Sequence, residues 1–233
     1  MSEYLILDLL MISGPLAASF EKNIRFIRFL KPVLLAILPV ALYFIAWDMV
    51  ATARGHWEFN SRYVGELFIY NLPIEEILFF FIVPFNAMFI PKVIWYYQPE
   101  PEIIKFNAFR NAVMLLVTGL ILLIFKHKEY TFMAFGSSAL FLLLDKYSGT
   151  KLVNTMQFWK TQGWIFVAEL ICNGYLTARP VLIYSNKTMI GFRFVTIPIE
   201  DFFYGFALVS LCMWSYAMLE RKFPDLFPKA SRV

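Results

Sequence analysis

Charge is what this sequence has least of. Asp, Glu, Lys and Arg make up 16% of its 233 residues, against 60% hydrophobic residues and a mean hydropathy of +0.62. Soluble domains are about 25% charged and about 45–50% apolar, so a soluble globular protein is excluded. Cysteine is nearly absent as well. Cys172 and Cys212 both lie inside apolar runs, which makes them packed thiols and not a disulfide framework. No G-x-G-x-x-G and no Gly-rich phosphate loop occurs, so no flavin or nicotinamide cofactor is expected. His56 and His127 have no Cys or second His at ligand spacing, and no metal is expected. A paired aspartate-rich motif of the kind that holds magnesium diphosphate is missing too. No basic leader precedes Glu3 and Asp8 in "MSEYLILDLLMIS", so this run reads as a first span and not as a cleaved signal peptide. The net charge of +4 belongs to the loops, and nothing points to nucleic acid.

What fills the chain is long apolar runs. At about 20 residues per crossing, they predict seven spans, at roughly 4–20, 32–51, 66–91, 108–125, 129–144, 163–182 and 195–219. The fold class is therefore an all-α, multi-pass protein of the cell membrane. Lys and Arg are about twice as numerous on the side that carries the C-terminus, and the positive-inside rule places that end in the cytoplasm. The last span contains no Lys, which removes a retinal Schiff base despite the seven-helix count.

The chain also repeats itself. "TARGHWEFNSRYVGELFIYNLPIEE" (52–76) aligns without a gap to "TARPVLIYSNKTMIGFRFVTIPIED" (177–201) at an offset of 125. The unit is three spans, so the expected organisation is a first repeat over 1–107, a linker helix over 108–125 and a second repeat over 126–233. A single linker span restores the direction of travel. The halves are then parallel and related by an axis along the membrane normal.

Carboxylates inside such runs are the candidate site, since an acid at the bilayer centre costs roughly 2.5–3.5 kcal/mol on the insertion scale. Glu75-Glu76 and Glu200-Asp201 occupy matching positions, and the symmetry is expected to bring Glu75 and Glu200 together in one cavity. A purely structural alternative stands beside this. Asn71 and Thr196 suit helix N-caps, Pro suits the first turn, and acids there complement the helix dipole. Arg54 and Arg179 are either partners for the glutamates or cations snorkelling to the interface. Asp48 and its equivalent Asn173 lie upstream, placed to orient those arginines. Glu169, whose equivalent is Phe44, is an unmatched intramembrane acid and so a functional candidate, unless it pairs with a neighbouring helix.

These motifs resemble the small integral-membrane lycopene cyclases, which occur as two-subunit enzymes and as fused chains. That family carries a repeated three-span domain with Pro-x-Glu-[Glu/Asp/Gln] motifs, matched here by "LPIEEILFFF" and "IPIEDFFYGF", and "TAR…W.F" after "WD" looks like it too. The second copy departs from the first in reading "TARPVL" for "TARGHW", so the two sites need not be equal. The resemblance implies a redox-neutral isomerase closing the ψ ends of lycopene or γ-carotene to β-ionone rings. It also implies a lipophilic carotenoid substrate in the bilayer and other carotenoid-pathway enzymes as neighbours. In the expected mechanism Glu75 and Glu200 divide acid and base roles, and Glu76 and Asp201 tune them. Two other readings stay open: a small-solute transporter of parallel repeats with a linker span, and a non-catalytic carotenoid-binding subunit. The ring type, β, ε or γ, is not fixed by these motifs.

Overall fold

The computed structural model describes residues 1–98, 104 and 107–228; the residues just before the expected boundary at 107/108 otherwise lie outside that range. Among the described residues, seven helices follow the apolar runs: α1 (Glu3–Ala18), α2 (Leu30–Ala53), α3 (Ile74–Tyr97), α4 (Asn107–Ile124), α5 (Glu129–Ser148), α6 (Met156–Ala178) and α7 (Ile199–Lys222). The segments Phe26–Ala53, Ile74–Tyr97 and Ile199–Lys222 are long and apolar enough to cross a membrane. At 1.5 Å per residue, the 24-residue α3 and α7 extend about 36 Å, which exceeds a hydrocarbon core of about 30 Å. The chain is an all-α membrane protein.

Helices α1–α3 and α5–α7 form two similar halves, with α4 packed on α5. The halves meet where α2 lies on α7 and α3 lies on α6 and α7. Small side chains let these helices approach: Ala36 and Ala41 on α2, and Ala207 and Cys212 on α7, are fully buried in the main core. Cys172 and Cys212 are both free thiols, as the sequence predicts.

A two-stranded ribbon crosses between the halves. Strand β1 (Trp57–Phe59) runs antiparallel to β4 (Leu182–Tyr184), with Glu58 opposite Ile183. Those two residues are repeat equivalents, so the pseudo-two-fold axis passes between them. The flanking bonds obey the same axis. Asn60 N–H donates to Val181 C=O at 2.9 Å, and Ser185 N–H donates to His56 C=O at 2.7 Å.

Two expectations are corrected here. The third span does not begin at 66: Phe68–Ile69 (β2) and Leu72–Pro73 (β3) form a hairpin, and the helix starts at Ile74. The seventh begins at Ile199 after the matching hairpin of Arg193–Phe194 (β5) and Ile197–Pro198 (β6). Tyr70 and Val195, at the equivalent turns, hold φ of 60° and 59°. An apolar hairpin reads in sequence like the start of a span. Nor are Asn71 and Thr196 the caps. The cap positions are Pro73 and Pro198, without side-chain bonds, while the Asn71 amide donates to Met49 C=O at 2.8 Å and Thr196 Oγ1 lies 2.7 Å from Thr177 Oγ1.

Candidate active site

Each helix start brings two acidic side chains to different places, because successive helix residues point about 100° apart. The first acid turns back toward the preceding loop. Glu75 Oε1 accepts Gly65 N–H at 2.8 Å and the Ser2 hydroxyl, and Glu200 Oε1 accepts Ile190 N–H at 2.6 Å and Thr131 Oγ1 at 2.6 Å. Gly65 is required for this approach, since a Cβ there would stand 2.8 Å from Glu75 Oε1. Both glutamates are buried and neither lines the central cavity.

The second acid faces that cavity. It has a volume of about 580 Å³, and its upper part is lined by Tyr4, Asp48, Glu76, Tyr130, Tyr184 and Asp201. Tyr4 O–H donates to Glu76 Oε2 at 2.8 Å, and Tyr130 O–H donates to Asp201 Oδ1 at 2.5 Å. Asp201 Oδ2 also receives Asn173 Nδ2 at 2.7 Å and Tyr184 O–H at 2.8 Å. Burial and the Asp201 carboxyl push the Tyr184 phenol well above its ordinary range, so it stays a donor. The two halves therefore differ. Asp201 holds three donors over both oxygens, whereas Glu76 holds one and keeps Oε1 without a partner among the described residues. Aromatic rings close around the Asp201 side: Trp57 and Tyr130 are 5.0 Å apart, and Tyr130 lies 5.8 Å from Tyr204.

Tyr4 and Tyr130 were not singled out from the sequence. They stand in "EY" pairs, 3–4 and 129–130, which repeat at an offset of 126 and so fall out of register with the longer alignment. The same pairs carry the ionic contacts of the rim. Arg54 Nη1 lies 2.8 Å from Glu129 Oε2, and Arg179 Nη2 lies 2.9 Å from Glu3 Oε1. Each arginine thus pairs with the other half, away from the motif carboxyls. His56 shares Glu129 at 3.0 Å and packs edge-on to Trp47 and Trp57. Burial lowers its pKa against the pull of Glu129.

Asn173 orients Asp201 and not an arginine, while Asp48, its equivalent, lines the cavity near Glu76 with Oδ2 buried and unpartnered. Glu169 also lines the cavity, deeper along α6. Below this polar end the walls are mostly apolar, with Asn86 the polar exception on α3: Val83, Ile90 and Ile94 on α3 and Trp164, Ile165 and Ala168 on α6 line them. From Glu76 to Ile94 the wall of α3 runs about 27 Å at 1.5 Å per residue. Such a groove suits a long, narrow hydrocarbon with one end at the carboxyls.

A family model described as lycopene cyclase matches residues 2–94 and, a second time, residues 127–219. The two matches stand in the register of the internal repeat and together include both acidic motifs, both EY pairs and Glu169. No curated protein and no solved structure matches the chain. Matched once in each half and over most of its length, the chain belongs to the lycopene cyclase family.

Proposed function

We propose that the chain is a lycopene β-cyclase that closes the ψ ends of lycopene and γ-carotene by proton chemistry, without redox change. The observation that carries this reading is the pairing of an apolar groove with the Glu76 and Asp201 carboxyls at its end. Glu76, with an oxygen left unpartnered, gives a proton to the terminal double bond. The tertiary cation that results is attacked by the next double bond of the chain. Loss of a ring proton then restores neutrality. Asp201, fixed by Tyr130, Asn173 and Tyr184, and the surrounding ring faces steady the cation, as aromatic faces do for positive charge. Glu75 and Glu200 hold the loops and carry no step. The few polar groups along the groove fit a hydrocarbon better than a polar solute, which disfavours a transporter. In this reading the N-terminus lies outside and the C-terminus in the cytoplasm.

Expression in cells that make lycopene tests the proposal directly. Wild-type chain is expected to produce β-carotene, with γ-carotene as the intermediate. Glu76→Gln keeps the size of the side chain but not its proton, and is expected to lower turnover by about 10²–10⁴-fold at equal protein level. Unchanged pigment ratios with this variant would refute the assignment of Glu76.

A further inference from the structure

We propose that Glu169 is the base that takes the ring proton, and so fixes where the new double bond lies. The inference rests on the cyclase reading above. Glu169, like Asp48, is a cavity carboxyl that the repeats do not share. In the first half its equivalent Phe44 stacks on Phe80, with ring centroids 6.4 Å apart and planes 25° apart. In the second half the same two positions hold Glu169 and Gly205. A carboxyl replaces one ring and a hydrogen atom the other. A Cβ on Gly205 would stand 3.2 Å from both Glu169 oxygens, so the carboxyl occupies the space that a side chain there would fill. It lines the cavity and makes no hydrogen bond to any described residue.

The other carboxyls are less suited to receive a proton. Asp201 already has donors on both oxygens, and Asp48 lies near the proton donor Glu76 at the polar end of the cavity, not deeper in the groove. Glu169 lies one turn from Asn173 on α6, and Gly205 lies one turn from Asp201 on α7. The carboxyl therefore sits about 6 Å further into the groove than Asp201. A donor and an acceptor at different depths can each come within hydrogen-bond reach of a different carbon of the forming ring.

The electron count closes. The C1=C2 pair takes the proton of Glu76 to form C2–H, which leaves the cation at C1. The C5=C6 pair forms the C1–C6 bond and moves the cation to C5. The C6–H bond then breaks toward Glu169, and its electrons form the C5=C6 double bond of a β ring. Glu76 is left as carboxylate and Glu169 as acid. Return of that proton through water resets both, with no oxidation or reduction.

The test compares wild type, Glu169→Gln and Glu169→Asp as purified chains in lycopene-loaded liposomes. Bound carotenoid is read by absorbance, and ring type by chromatography. Glu169→Gln is expected to bind carotenoid but to form β rings about 10²–10⁴-fold more slowly. Product that does form is expected to carry ε or γ rings or a captured hydroxyl. Glu169→Asp keeps a carboxyl and is expected to recover at least about tenfold of that loss, a part of the acid–base contribution. Wild-type β-ring formation by the Gln variant would overturn the inference, as would equal losses in Gln and Asp variants that still bind carotenoid. Where the Gln variant does not fold, Gly205→Ala displaces the carboxyl without removing it: an altered ring-type ratio supports the inference and an unaltered one overturns it. Absence of any cyclic product from wild type would instead refute the cyclase reading itself.

Discussion

At the scale of single residues, Glu75 and Glu76 differ only in the direction that one helical step imposes, yet they meet opposite surroundings. Glu75 is tied to a backbone N–H and a hydroxyl, and Glu76 to a tyrosine on the wall of the cavity. The separation gives a test of its own. Glu75→Gln keeps the Oε1 acceptor and is expected to retain cyclisation, in contrast to Glu76→Gln. Gly65→Ala drives a methyl into the Glu75 carboxylate and breaks the bond from its own N–H. An unsatisfied buried group costs about 1–3 kcal/mol, so the variant's thermal midpoint in detergent is expected to fall while its carotenoid product stays the same. An unshifted midpoint would mean that the loop does not depend on this contact.

Among the elements, the hairpins before α3 and α7 shape the site most, because they set where each helix begins. Their turns place Tyr70 and Val195 in the left-handed region, a conformation costly for a β-branched side chain. Val195→Asn is expected to raise the thermal midpoint, by the equivalent of about 1 kcal/mol, since Asn tolerates that region. A lowered midpoint would show that the exposed Val195 side chain holds the hairpin in place by other means. The longest helices, α2, α3 and α7, were legible in the sequence, since 18 or more apolar residues leave few alternatives. The hairpins were not. "ELFIYNL" is as apolar as a span, and nothing local distinguishes a ribbon of such residues from a helix. The carboxyl pairs were legible through their duplication, but the direction of each side chain was not, because it depends on helix starts displaced by several residues. Tyr4 and Tyr130 escaped because α1 and α5 repeat one residue out of step with the rest.

For the whole molecule, the contact between halves runs through α2 on α7, α3 on α6 and the β1–β4 ribbon, none of which needs the covalent link through α4. Two polypeptides divided in the "KHKE" loop after α4 are therefore expected to assemble when made together. Tagging one half and recovering the other from detergent extracts would show it, and cyclic carotenoid should appear only when both are present. Failure of the halves to copurify would mean that α4 holds them together. The rim ion pairs add little to this, since exposed pairs contribute about 0.2–1 kcal/mol, and Arg54, Glu129, Arg179 and Glu3 are all substantially exposed.

Those exchanged pairs nevertheless bear on how a duplicated gene can diverge. Arg54 answers to Glu129 and Arg179 to Glu3, so a charge altered in one copy leaves its mismatch in the other. At the rim a change in one copy is felt in the other. Inside the membrane no such bond joins residue 44 to residue 169, and there one copy holds phenylalanine and the other glutamate. The exchanged arginine pairs are the same in both copies, whereas the groove is unlike in the two halves, as the proposed reaction, which treats two carbons of one ring differently, requires.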